Sequence, residues 1–188
     1  MDHARGEALS GKRAASTKRA TARRTAPAKR AISTKRATGA RGGAASQRGV
    51  EVSPHLIERL VKEARAVRER AHAPYSRYFV GAAIATKSGA VFKGCNVENA
   101  SYGGCICAER GAIMQMVAAG ERHPVACVVV TAGERAGSPC GICRQVLAEF
   151  AKDMTIVMVG LTPRGETRRA TTLRRLLPDA FTPESLLG

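Results

Sequence analysis

In "SPCGICRQVLAEF", Cys140 and Cys143 stand two residues apart at the opening of an amphipathic helical stretch, where the first turn presents both sulfurs on one side. Alone, such a pair reads equally as a metal clamp, a redox couple or buried thiols. Zinc takes tetrahedral nitrogen and sulfur ligands, and a catalytic zinc keeps three protein ligands and one position open to water. Cys107 is the best candidate for the third ligand. It opens another helical stretch, "CAERGAIMQMVAAG", and Glu109 follows within the first turn, placing an acid beside the metal. A carboxylate there can move the protons of an activated water. Cys105 is the fourth thiol that a closed, structural site would need, but it falls just outside the helix start. Cys95 and Cys127 fall in strands and read as small core residues, and Met114 and Met116 read as core packing. His3, His55, His72 and His123 have no partner at ligand spacing and are read as surface or packing residues.

Several elements must position these groups. A helix begins at "SPHLIERLVKEARAVRERA", with Ser53 as N-cap, Pro54 in the first helical position and Leu56, Leu60, Val61 and Ala64 at helical spacing. "YFVGAAIAT" (78–86) and "AVFKGCNV" (90–97), joined through "KSGA", form a hairpin. The helix from Cys107 has almost no polar face after Arg110, should be buried on most sides, and closes on Gly120. "VACVVVT" (125–131) and "MTIVMVGL" (154–161) are continuous apolar strands. Between them, "CGICRQVLAEFA" is a helix with Ile142, Val146, Leu147 and Phe150 on one stripe. A short helix and a Pro-punctuated tail close the chain at 172–187. Strands alternating with helices of this length indicate a layered α/β domain with a largely covered sheet.

Cys-x-Glu followed by Pro-Cys-x-x-Cys is similar to the signature of the zinc deaminases in its three-cysteine form. Around it, "PYSRYFVGAAI", "FKGCNVENASYGGCICAERGAI", "SPCGICRQVLAEF" and "LLPDAFTPESL" resemble the small homotetrameric cytidine deaminases, across nearly all of residues 53–187. The resemblance implies a three-layer α/β/α fold with a mixed, mostly five-stranded sheet, and hydrolytic deamination of cytidine and 2′-deoxycytidine. It implies one zinc ion per subunit on Cys107, Cys140 and Cys143, with Glu109 as proton shuttle. Asn96 and Glu98 would bind the ribose hydroxyls, and the backbone of Ala108 would help hold the pyrimidine. Tyr78 stands where the family usually carries Phe; if strand alternation holds, either Tyr78 or Phe79 faces the base. Arg110 is the family position for a cation that hydrogen-bonds the sulfurs. Phe181 would reach a neighbouring subunit's site, so that the homotetramer shares its active sites.

The formal charge of +16 is unevenly placed: residues 1–48 carry thirteen Lys and Arg against two acids, leaving +5 for residues 49–188. Residues 1–48 are built mainly from Ala, Lys, Arg, Ser, Thr and Gly, and "AASTKRAT" recurs as "AISTKRAT". They are expected to form a disordered basic tail ahead of a catalytic domain at 49–188, with weak nonspecific affinity for nucleic acid. An organellar transit role also fits their composition. The chain lacks a secretory leader pattern and any apolar run approaching the roughly 18 residues of a membrane helix, so a cytoplasmic, reducing setting is expected. Two rival functions follow from the tail: deamination of cytosine in RNA or DNA, and a zinc-stabilised nucleic-acid-binding protein, for which Glu109 would be dispensable. The antibiotic-directed blasticidin deaminases are nearer relatives, but would not be expected to carry "NVENASY" and "FTPESL" together.

Overall fold

The computed structural model describes residues 52–187, and the expectations for the basic tail lie outside them. Helix α1 (Pro54–Arg68) starts as its sequence requires, with Ser53 extended and its hydroxyl accepting from Leu56 N at 3.2 Å. Leu56, Leu60, Val61 and Ala64 are buried, as the helical spacing predicts. The strands β1 (Gly81–Thr86), β2 (Val91–Cys95), β3 (Pro124–Ala132), β4 (Thr155–Thr162) and β5 (Gly165–Thr172) form one sheet in the order β2-β1-β3-β4-β5. Only β3 and β4 run parallel; the other neighbours are antiparallel. The parallel pair is joined by α3 (Gly141–Phe150), a strand-helix-strand crossover.

Alternation along the central strands separates two apolar layers. Ala83 and Ala85 of β1, with Val128 and Val130 of β3, pack towards α1. Ala82, Ile84, Cys127 and Val129 pack instead with α2 (Ala108–Ala118), α3 and the short α4 (Leu173–Leu176). The result is the expected three-layer α/β/α arrangement, and a single turn, α5 (Pro183–Leu187), ends it.

Several local readings are corrected. The first hairpin strand starts at Gly81 rather than Tyr78: the Asn96 side chain bonds Val80 N and Tyr78 O in place of a strand ladder, and beside these bonds Asn96 N donates to Val80 O at 3.2 Å. β5, "GETRRATT", was not read as a strand; it is a polar edge strand whose register is fixed by pairing with β4. Met114 is 56% exposed, so α2 buries one face (Ala108, Ala112, Ile113, Met116) and not most sides. Ile142 is also exposed, leaving Cys143 and Leu147 as the buried residues of α3. Cys127 is buried as expected, whereas Cys95 is only partly so.

Candidate metal and substrate site

Cys107 and Cys140 hold equivalent places, each the extended N-cap of its helix, with φ −73° and ψ 155° at Cys107 and φ −68° and ψ 169° at Cys140. Neither side chain caps its own helix, so both sulfurs remain available beside unsatisfied first-turn N–H groups and the positive ends of two helix dipoles. Cys143, in the first turn of α3, is buried beneath them. The three sulfurs lie within 4.8 Å of one another. The Cys107 and Cys140 sulfurs are 3.8 Å apart, and zinc–sulfur bonds of about 2.3 Å at tetrahedral angles require about the same separation.

Electrostatics prepare the cluster for a cation. The Cys107 thiol is lowered to about 5, chiefly by hydrogen bonding from Cys143, then by Cys140 and by the charge and hydrogen bond of Arg110. Cys143 is pushed upward because it gives its proton to that contact, and burial and the Glu109 charge add to the effect. Arg110 donates from Nη2 to the Cys105 carbonyl, while its buried Nε has no hydrogen-bond partner among the described residues. Three convergent thiols with an adjacent cation therefore fit one zinc ion. Cys105 is not in the cluster; its sulfur accepts from Asn99 N at 3.4 Å.

Glu109 follows one residue into α2 and is 4% exposed. Burial raises its carboxyl, and the charge of Cys107 raises it further. Both residues open onto a cavity of about 270 Å³ beside the carboxyl end of β3, walled by Val129, Thr131 and Ser138. Ala108, Asn96, Glu98 and Tyr78 line the same cavity, whereas Phe79 does not. The Tyr78 hydroxyl lies against Gly137: a Cβ there would stand 2.6 Å from it.

The polar residues opposite the thiols also hold the protein itself together. Asn96 Oδ1 accepts from Val80 N at 2.8 Å, and Nδ2 donates to Tyr78 O at 2.8 Å. Glu98 accepts from the backbone N–H groups of Tyr75 (2.9 Å) and Ser76 (3.2 Å) and from the Ser76 hydroxyl. These bonds hold its carboxyl below the ordinary range, led by the Ser76 hydroxyl. Phe181 is 57% exposed and lies outside its own chain's cavity. Sequence reasoning missed Thr131 and Gly137, whose pairing (Gly137 N to Thr131 Oγ1, 2.9 Å) shapes the loop before Cys140. The only signals for them were a polar end to an apolar strand and a glycine beside "SPC".

A layered α/β fold with a thiol triad at two helix N-termini, and with Cys107, Cys140 and a buried carboxylate lining one cavity, defines a metal-dependent centre of the zinc-hydrolase kind. Residues 54–159 match the family model for the cytidine and deoxycytidylate deaminase zinc-binding region. A cytidine deaminase of Halalkalibacterium halodurans is 46% identical over 127 residues, covering 68% of this chain and 95% of that protein. One from Sporosarcina psychrophila is 42% identical over 131 residues, covering 69% and 94%. The crystal structure of cytidine deaminase from Burkholderia pseudomallei superposes with a TM-score of 0.62 at 46% identity, covering 66% of this chain and 98% of that one. The chain belongs to the cytidine and deoxycytidylate deaminase family.

Proposed function

We propose that this protein hydrolyses cytidine and 2′-deoxycytidine to uridine and 2′-deoxyuridine with release of ammonia. The observation that carries the reading is the meeting of Glu109, Cys107 and Cys140 with Asn96, Glu98 and Tyr78 around one small cavity, with the third thiol, Cys143, buried within reach of the other two. Cys107, Cys140 and Cys143 would hold one zinc ion per subunit, which supplies Lewis acidity and brings a hydroxide nucleophile within reach at neutral pH. Glu109 takes the water proton at its carboxylate and delivers it to N3 of the ring as C4 is attacked, then takes the proton of the new C4 hydroxyl and passes it to the amine, which departs as ammonia while C4–O becomes the carbonyl. Burial suits it to this task by favouring the carboxyl form that an acid needs. Arg110 favours the charged form of Cys107 through its charge and hydrogen bond.

At the other end, Asn96 retains one amide proton after bonding Tyr78, and Glu98 retains lone pairs, so both can meet ribose hydroxyls. The Ala108 backbone and the Tyr78 ring hold the pyrimidine between them. Phe181 closes the cavity of a neighbouring subunit in a homotetramer, which suits its exposure and its distance from its own site.

At about 270 Å³ the cavity falls just below the roughly 300–1,000 Å³ usual for ligand sites, which favours a free nucleoside over a strand whose phosphates must leave at both ends. Residues 1–48 add weak, salt-sensitive affinity for nucleic acid without taking part in turnover. Among the described residues no helix is long and apolar enough to cross a membrane.

The deciding experiment measures zinc per subunit and ammonia release from cytidine, deoxycytidine and a cytosine-bearing oligonucleotide, for the full chain and for a form lacking residues 1–48. Nucleoside turnover by both, abolished in Glu109→Ala, is expected. Turnover of the oligonucleotide alone, or activity surviving Glu109→Ala, would overturn the reading.

A further inference from the structure

The residues immediately after Cys143 turn away from the cavity and take hold of the C-terminal segment. Arg144 donates from Nε to Pro139 O (2.7 Å), from Nη2 to Ser138 Oγ (3.1 Å) and from Nη1 to Leu176 O (2.9 Å). It therefore ties the loop entering Cys140 to the end of α4. Gln145 donates from Nε2 to Phe181 O (2.6 Å) and accepts at Oε1 from Phe181 N (3.3 Å). A planar side-chain amide here reproduces the two-bond pairing of one peptide with another. Among the described residues, no other hydrogen bond reaches the backbone of residues 178–181. The Phe181 ring itself is 57% exposed, so packing within the chain does little to aim it.

From this geometry we infer that Gln145 is a positioning residue: it fixes the backbone of Phe181 and so aims that ring at the nucleoside site of a neighbouring subunit. The inference rests on the shared-site reading above and adds to it the element that does the aiming. The helix that carries two thiols of one site also holds, through its next turn, the aromatic wall of another. Gln145 touches neither thiols nor cavity, so its loss should leave the chemical step intact and weaken substrate binding. One effective hydrogen bond, roughly 1.4 kcal/mol, corresponds to about a tenfold rise in KM.

Three measurements on the full chain test this. In Gln145→Ala, and in Gln145→Glu, which keeps the size but loses the donor to Phe181 O, hydrogen exchange at the Phe181 amide should quicken at least about tenfold. In both variants KM for cytidine should rise about tenfold, with kcat and zinc per subunit within about twofold of wild type. Finally, Gln145→Ala is co-expressed with an excess of Glu109→Gln chains, which are inactive but carry an intact Gln145 and Phe181. In the hybrids the active subunits border intact partners, and KM should return towards the wild-type value. Unchanged exchange at Phe181, or hybrids that keep the raised KM within a tetrameric protein, would overturn the inference while leaving the shared site standing. An active wild-type monomer would instead overturn the shared-site reading, and the inference with it.

Discussion

Gly94 of β2 lies so close to the first residue of α2 that a Cβ built on it would stand 2.4 Å from the Ala108 carbonyl oxygen and 2.4 Å from Ala112 N. Both obstacles are backbone, so neither can swing aside. The glycine sets how deeply α2 seats on the sheet, and α2 carries Cys107 at its cap and Glu109 in its first turn. Gly94→Ala should therefore cost about 3 kcal/mol of stability by overpacking and lower turnover by displacing Glu109. Denaturant unfolding with steady-state kinetics checks both; a variant of wild-type stability and rate would show that α2 can shift freely.

Gly111, facing it from within α2, should behave in the opposite way. A Cβ there meets Gly94 Cα at 3.5 Å and Cys95 O at 3.6 Å, ordinary contact distances. Replacing a helix-interior glycine by alanine without strain should stabilise the protein by about 0.5–1 kcal/mol. Thermal unfolding of Gly111→Ala decides it, and a loss of stability would contradict the packing described.

Asn96 is expected to serve the substrate, yet its side chain already bonds both Val80 N and Tyr78 O. Asn96→Ala should lose about 2 kcal/mol of stability, from two bonds of about 1 kcal/mol each, as well as substrate affinity. Asn96→Asp keeps the acceptor for Val80 but sets a charged oxygen against the Tyr78 carbonyl, so it should damage KM while losing less stability. Equal stability losses in the two variants, measured by urea unfolding, would mean that the Val80 bond contributes nothing.

Glu98 should make the fold sensitive to acid. Its carboxyl is held below the ordinary value of 4.5 by the Ser76 hydroxyl and the N–H groups of Tyr75 and Ser76. A depressed folded-state value means the stabilisation is present above the unfolded value and is lost as pH falls through the folded one. In metal-free protein, the gap in melting temperature between wild type and Glu98→Gln should hold steady between about pH 5 and 8, begin to narrow below about 4.5 and close as the pH falls through the lower folded-state value. A gap that persists in acid would assign the effect to shape rather than charge.

The thiols should announce their order when zinc is removed. Cys107, lowered to about 5 and partly exposed, should be alkylated first in chelator-treated protein near neutral pH. Buried Cys143 and Cys127 should follow only on unfolding. Peptide mass spectrometry reads the order, and zinc added beforehand should protect Cys107, Cys140 and Cys143 together. Preferential labelling of Cys105 would contradict the electrostatics of the site.

The thiol triad and Glu109 were legible because their positions are local: each depends on a helix start, and "SPC" and "CAE" write those starts into the chain. Which of Tyr78 and Phe79 turns to the cavity was not legible, because both precede β1 and the Asn96 side chain, not strand pairing, holds their backbone. β5 was not legible, because "GETRRATT" on an edge has no buried face to impose a pattern and depends on β4 for its register. The second task of Asn96, the bond of Arg144 to Leu176 and those of Gln145 to Phe181 join residues 16 to 36 positions apart, a relationship no spacing rule within one element encodes. Met114 and Ile142 misled because apolar side chains at helical spacing do not say how wide the covered face is.

The two helix caps leave the chain with a conflict of interest. Serine, threonine, aspartate and asparagine close helix N-termini well, and at positions 107 and 140 the extended backbone needed for such a cap is already present. Cysteine closes neither, so metal-free chains carrying aspartate at either position should fold more firmly than the native one while losing a ligand. Selection for robustness alone would therefore erode this site, and its persistence in a lineage would be a sign that the chemistry is under continuous use.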